Sequence, residues 1–314
     1  TNLIIFQEDK VSRALIDKDA IYSAEGNASI TSSSQVIGQI VAYAGEYGIS
    51  TNPESFAVYG NRKYFTDKKR GVVLRLSGGA GGGQGITEIS SYGMHDFFRD
   101  ELADATKVVG GWNSHTKDYV LSLQTNSDYK TATFDEGVLG WTSFSSYKPS
   151  HIFSLSNVFY TFNQDADINS NLGRLYQHYP GPYAKFYGVT YGSDVTIVLN
   201  SQPSVVKNFK TINYEGGPGW ELESMVASST DKTLPIGKYV FQENLASLEN
   251  QIWSNTFKKK EDKYFANLIN NSPATNGEIL YGADMSGIKG FYSTVKMSIS
   301  PITQFDTSAI KKEL

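Results

Sequence analysis

The chain has 314 residues, no cysteine, a formal net charge of −4, and 29 Gly, 20 Tyr and 17 Phe. The missing thiols exclude disulfides, thiolate zinc sites and cysteine nucleophiles. The acidic balance argues against a broad nucleic-acid footprint, which needs clustered Lys and Arg to displace condensed counterions. No apolar run approaches the roughly 20 residues that cross a bilayer as a helix, and the start lacks the basic-then-apolar layout of a signal peptide, so a soluble chain without a membrane segment is expected. The length allows two ordinary domains, and the aromatic and glycine content favours half-buried strands joined by tight turns.

The sequence opens at Thr1 without Met and enters an apolar run at once, Leu3 to Phe6, which reads as a segment cut from a longer polypeptide. Alternating runs separated by polar or glycine turns then recur, the pattern of antiparallel hairpins. The first is Arg62–Thr66, a turn through Asp67-Lys68-Lys69-Arg70-Gly71, and Val72–Leu76, with Gly71 placed to supply the positive φ that closes the hairpin. Ile86–Ile89 follows the glycine-rich stretch Gly78–Gly85. Met94–Ala105 predicts a short helix, with Asp96, Arg99 and Asp100 outward and Phe97, Phe98 and Leu102 towards a core. Further strands are predicted at Asp118–Leu123, Thr131–Phe134, Gly140–Phe144, His151–Leu155, Val158–Phe162 and Gly173–Tyr176; Gly137 is taken as the counterpart of Gly71.

Short aromatic-bearing strands at this spacing read as all-β, with propeller-like repeated antiparallel hairpins. The texture changes after Asn200, at Ser201-Gln202-Pro203-Ser204, and a boundary there gives a propeller-like domain over 1–200 and a smaller C-terminal β-rich domain over 201–314. In the latter, Lys207–Tyr214, Tyr264–Leu268 and Gly290–Met297 are predicted strands, Glu243–Trp253 a helical stretch, and Ser308–Leu314 a mobile end.

No catalytic, cofactor-binding or metal-ligating set emerges. The glycine run leads into a strand and no Lys follows it, unlike a phosphate-cradling loop. Asp135 and Glu136 are adjacent, so they diverge, whereas a glycosidase needs two carboxylates converging from separate elements; Asp67, Glu88 and Glu215 offer no spacing that selects a pair. His95, His115, His151 and His178 show no i, i+4 pair. Asp165, Asp167 and Asn169 alternate like the start of a calcium loop, but Ser170 and Tyr176 stand where Gly and Glu are needed. The basic runs Lys68-Lys69-Arg70 and Lys258-Lys259-Lys260 read as solvated hairpin tips, with contact to passing DNA as the sharper alternative.

Several longer phrases carry a resemblance. They include Gly45-Glu46-Tyr47-Gly48-Ile49-Ser50, Asn52-Pro53-Glu54-Ser55-Phe56-Ala57, Tyr64 through Ser77, Gly93-Met94-His95-Asp96-Phe97-Phe98-Arg99-Asp100, Phe134-Asp135-Glu136-Gly137 with Gly140-Trp141, Lys207 through Gly216, and Phe257 through Leu268. In these the chain resembles a family of bacteriophage tail structural proteins whose members form tail tubes, nozzles or muzzles, departing from it mainly at the glycine insertion of Gly78–Gly85. The resemblance implies a building block of the virion tail and no shared active site. The expectation is a non-enzymatic protein that needs no cofactor, assembles in a ring with copies of itself and with other tail proteins, and forms part of the DNA-delivery conduit with non-specific contact to exiting DNA. The alternatives are a host-surface glycan-binding module stacking sugars on Trp112, Trp141 and nearby Tyr side chains, and, behind it, a polysaccharide hydrolase.

Overall fold

The computed structural model describes residues 2–22, 28–78, 85–163, 173–227, 240–241, 256–268 and 288–300. The chain divides into two compact units, Thr1–Pro180 and Gly181–Leu314. Among the described residues the structure is all-β apart from one α-helix and a single 3-10 turn.

The first unit begins with an antiparallel sheet of β1 (Asn2–Phe6), β2 (Val11–Tyr22) and β3 (Ala28–Ala42). The 3-10 turn, Pro53–Ser55, precedes a four-stranded meander of β4 (Ala57–Tyr59), β5 (Arg62–Asp67), β6 (Val72–Ser77) and β7 (Gly85–Glu88). Helix α1 (His95–Asp104) leads to a second four-stranded meander of β8 (Lys107–Asn113), β9 (Asp118–Gln124), β10 (Tyr129–Asp135) and β11 (Gly140–Ser145). β12 (His151–Leu155), β13 (Val158–Asn163) and β14 (Arg174–Gln177) form a third.

Two apolar clusters hold these layers together. Phe65, Val72, Leu74 and Leu76 pack with Val11 and, partly buried, Ile4 and Phe6, so the β4–β7 sheet sits against the first one. Tyr64 and Val73, Phe98 and Leu102 of α1, and Trp112, Tyr119, Leu121 and Phe134 form the larger core between the two meanders. Phe98 and Leu102 are one helical turn apart and fully buried, which is why this stretch is helical where its neighbours are strands.

Strand β8 is clamped on both faces. A Cβ at Gly110 would lie 2.0 Å from the Ser55 carbonyl oxygen, and one at Gly111 would lie 2.2 Å from Ile152 Cγ2 of β12. Successive residues of a strand point to opposite faces. Adjacent glycines are therefore what lets the second meander be approached closely on one side by the 3-10 turn and on the other by the third sheet. All four sheets of this unit are open; none closes on itself among the described residues.

The second unit opens with a short hairpin of β15 (Lys185–Phe186) and β16 (Val189–Thr190). Then come β17 (Ser193–Leu199), β18 (Lys207–Phe209), β19 (Thr211–Glu215), β20 (Glu221–Ala227), β21 (Val240–Phe241), β22 (Thr256–Lys260), β23 (Lys263–Asn267), β24 (Ile288–Gly290) and β25 (Ser293–Ile299). They form a β17-β25-β20 sheet, a β18-β24 pair and a β19-β23-β22-β21 sheet in which β21 and β22 run parallel. The core is built by Leu222, Met225, Val295 and Met297 of the first sheet and Phe257, Tyr264 and Ala266 of the last, the two inner faces of a sandwich.

The strand expected at Lys207–Tyr214 is interrupted at Lys210, and its halves join different sheets. The boundary placed near residue 200 falls after β17, whose partner β25 belongs to the second unit. The expected helix at Glu243–Trp253, the tail Ser308–Leu314, the interior of the glycine run and the Asp165–Asn169 loop lie outside the described residues.

Gly71 has φ +66°, and a Cβ there would stand 2.8 Å from Arg99 Cα. Gly137 differs from the expected equivalence: its φ is not positive, and the left-handed residue of that turn is Leu139, φ +53°. The reason is local. Asp135 Oδ1 accepts hydrogen bonds from the backbone N–H of Gly137 (2.5 Å) and Val138 (3.1 Å), so the chain folds over the carboxylate first and reverses only at Leu139. Replacing Gly71 by Val should therefore cost about 1–3 kcal/mol from the backbone conformation alone, with the Arg99 clash on top, and Gly137→Ala should cost clearly less. Urea unfolding of the two variants checks this, and equal losses would contradict it.

Candidate functional site

The carboxylates singled out in the sequence are each engaged in holding the fold. Glu136, its side chain only 10% exposed, accepts a hydrogen bond from the Tyr64 hydroxyl (2.6 Å), a charge-assisted bond from Arg75 (2.6 Å) and a longer contact from Arg62 (3.4 Å). The turn between β10 and β11 is thereby tied to β5 and β6 of the preceding sheet. Burial, followed by the Glu136 hydrogen bond and charge, raises the Tyr64 hydroxyl well above the ordinary phenol value, so it is a fixed donor. Asp67 is fully buried and accepts from Gly48 N–H (3.1 Å), Arg70 N–H (3.2 Å) and the Arg70 guanidinium (2.9 Å). Glu88 takes the Ser90 hydroxyl (3.0 Å), and Glu215 pairs with Lys263.

One carboxylate pair escaped the sequence reading. The β9/β10 register places Asp118 directly opposite Asp135. Asp118 is buried, which raises its carboxyl above the usual range; the Thr116 hydroxyl, hydrogen-bonded to it, opposes this, and the charge of Asp135 adds to it. The signal was available, because Asp118 already opens one predicted strand and extending the other, Thr131–Phe134, by one residue to Asp135 brings these acids opposite each other once the two are paired as a hairpin. Among the described residues no three His, Asp or Glu side chains come together as metal ligands.

The histidines stay apart. His95 lies beside Asp96 at the start of α1, His115 stacks on Tyr179 with ring centroids 4.0 Å apart, and His151 is exposed at the start of β12. His178 is the inward one: its Nε2 is 2.7 Å from the buried Thr161 hydroxyl, and burial lowers its pKa from 6.5 to about 4.

Neither tryptophan proposed as a sugar platform presents a free ring. Trp112 is 8% exposed and lies between Tyr59 (4.2 Å, 11°) and Tyr64 (5.4 Å, 20°). Trp141 packs on Phe98 and Phe134 and donates its indole N–H to the Ile89 carbonyl (3.0 Å). The first basic run is likewise occupied: Lys68 donates to the Ala105 carbonyl (2.6 Å), Lys69 pairs with Glu8 (2.6 Å) and Asp9 (3.3 Å), and Arg70 pairs with Asp67. Lys258, Lys259 and Lys260 form exposed strand β22 and not the hairpin tip, which is Glu261-Asp262, both left-handed.

What remains open to a partner is apolar strand surface. In the first unit Leu3, Ile37, Ile40 and Val41 are exposed. The register pairs Ala14 with both Leu3 and Ile40, and Ile16 with Ile37, across an irregularity at Gly38-Gln39, so Leu3, Ile37 and Ile40 share one face. In the second unit Val195, Ile197 and Leu199 of β17 are 38–44% exposed. They border an apolar cavity of about 440 Å³ whose other wall is Ile212, Tyr214 and Trp220.

Residues 181–271 match the family model described as Crassvirus muzzle protein C-terminal domain. The matched segment opens at Gly181, the first residue of the second compact unit. No curated protein matches the chain. The match supports the tail and nozzle type of phage structural protein that the sequence resembles, and it indicates a component of the virion tail.

Two outcomes follow for the polar sites. Glu136→Ala strands a partly buried guanidinium and should cost about 3 kcal/mol, whereas Asp135→Asn, which keeps an acceptor for the turn, should cost less than about 1 kcal/mol; chemical unfolding of both variants measures the difference. For His178 the folded pKa lies below the unfolded value, so its contribution is fully present above pH 6.5 and is lost as pH falls towards 4. Unfolding free energy should drop between pH 7 and pH 5 by on the order of 2 kcal/mol through this group, and His178→Gln should flatten that step.

Proposed function

We propose that the chain is a non-enzymatic building block of the virion tail, which assembles in a ring with copies of itself and with other tail proteins to form part of the DNA-delivery conduit. The observation that carries this reading is the pairing of two facts: Asp67, Glu136, Trp112 and Trp141 are committed to internal structure, and strands β3 and β17 leave apolar side chains exposed. Buried apolar area drives association, and a head-to-tail contact between copies gives a closed ring where its rotation closes.

Successive meanders packed against one another, the two four-stranded ones through a shared core and the second against the third at β8, support a propeller-like arrangement of the first unit, as blades pack in such folds. The row Lys258–Lys260 on β22 supplies the exposed positive charge by which a conduit wall would meet passing DNA without sequence preference. The glycan-binding alternative loses its two stacking platforms, since Trp112 and Trp141 are covered by Tyr59, Phe98 and Phe134. Purified full-length chain should give a discrete ring-sized species by mass photometry as concentration rises, and it should release no reducing ends from host-surface polysaccharide. A strict monomer at every concentration, or steady sugar release, would overturn the proposal.

A further inference from the structure

We propose that strand β3 of one copy completes the sandwich of the second unit in the neighbouring copy, adding beside β19 and covering β17; the inference rests on the ring assembly proposed above. Among the described residues the sandwich is one strand short. Its β17-β25-β20 sheet faces a sheet in which β19 is the last strand on the cavity side, and no strand lies beyond β19 among the described residues. Val195 and Ile197 are cross-strand partners of Met297 and Val295 and so share their face. Yet Val295 and Met297 are buried at 2% and 6%, whereas Val195 and Ile197 are 38% and 44% exposed. The layer that covers β25 stops before it reaches β17, and the cavity marks the vacancy.

Strand β3 has the chemistry to fill it. It is a 15-residue edge strand, Ala28–Ala42, containing neither a charged residue nor a proline. Proteins blunt free edges with charges, prolines, bulges or short length, and of these β3 carries only the irregularities in its pairing with β2. It displays Ile37 (49% exposed) and Ile40 (57%) on one face. The slot matches in kind: its walls are aliphatic and aromatic, and its one charged residue, Glu215, is already paired with Lys263. Edge pairing of β3 with β19 would extend the neighbour's sheet by main-chain hydrogen bonds and set Ile37 and Ile40 over Ile197, with alternate side chains giving specificity. The donor and acceptor surfaces differ, so the contact is head-to-tail, the kind that closes into rings.

The absence of cysteine makes the test direct. Full-length Ile40→Cys and full-length Asn213→Cys are mixed and treated with a short thiol-reactive cross-linker. The inference expects a two-chain product in the mixture and in neither variant alone. It also expects Ile40→Asp and Ile197→Asp each to cut the assembled fraction at least tenfold while keeping the parent circular dichroism and melting curve. Self-cross-linking of Ile40→Cys, which would mean β3 pairs with β3, overturns the inference. Rings that form without any cross-link sink this inference and leave the ring reading standing; the absence of rings in the parent chain sinks both.

Discussion

Glu136 holds together two sheets that would otherwise meet only through apolar side chains. A carboxylate that is nine-tenths covered must have its charge met, and here Arg75, Arg62 and the Tyr64 hydroxyl meet it from the neighbouring meander. The bond fixes where the β10–β11 turn sits over β5 and β6. That in turn sets the aromatic layer beneath it, in which Tyr64 lies 4.9 Å from Tyr119 and 5.4 Å from Trp112. The packing of β8 follows, because Trp112 belongs to the strand whose two glycines admit the 3-10 turn on one face and Ile152 on the other. An acid that sequence reasoning weighs as a catalytic candidate is thus the cross-tie of the first unit.

The same logic runs through the other polar groups. Asp67, buried between Gly48 and Arg70, ties the β5–β6 turn to the segment that follows the first sheet. Lys69 reaches Glu8 and Asp9 of the β1–β2 turn. These interactions commit Asp67, Lys69 and Arg70 to holding the turns of the first unit in place. Among the described residues β3 and β17 carry exposed apolar side chains, surface of the kind that marks interaction sites. The match of residues 181–271 to a virion muzzle domain points the same way.

Much of this was legible in the residues. Strands with a clear period of two and a turn signal, such as Arg62–Asp67 with Val72–Ser77 and His151–Leu155 with Val158–Asn163, fall where alternation puts them. Helix α1 shows itself through Phe98 and Leu102, one turn apart. Strands β2, β3 and β8 were not read: β3 is Ser-rich, β8 holds a Gly pair, and β2, with Ala14, Leu15 and Ile16 in a row, does not alternate strictly; β3 is recognisable only through its register with β2. Gly137 was misread because an Asx turn at Asp135 moved the left-handed residue to Leu139, and side-chain capping of that kind competes with the glycine signal. The site reading had a parallel gap: Asp118 and Asp135 become neighbours only once strand register is known, whereas Asp135 and Glu136 are neighbours in sequence and diverge in space.

The central claim is that this chain is a structural element of the virion tail. A cryo-electron microscopy map of intact particles at side-chain resolution tests it most directly. The account predicts density for this chain in the tail, in several symmetry-related copies around the DNA path. Density for it at the capsid alone, or as a single copy away from the tail axis, would contradict the account.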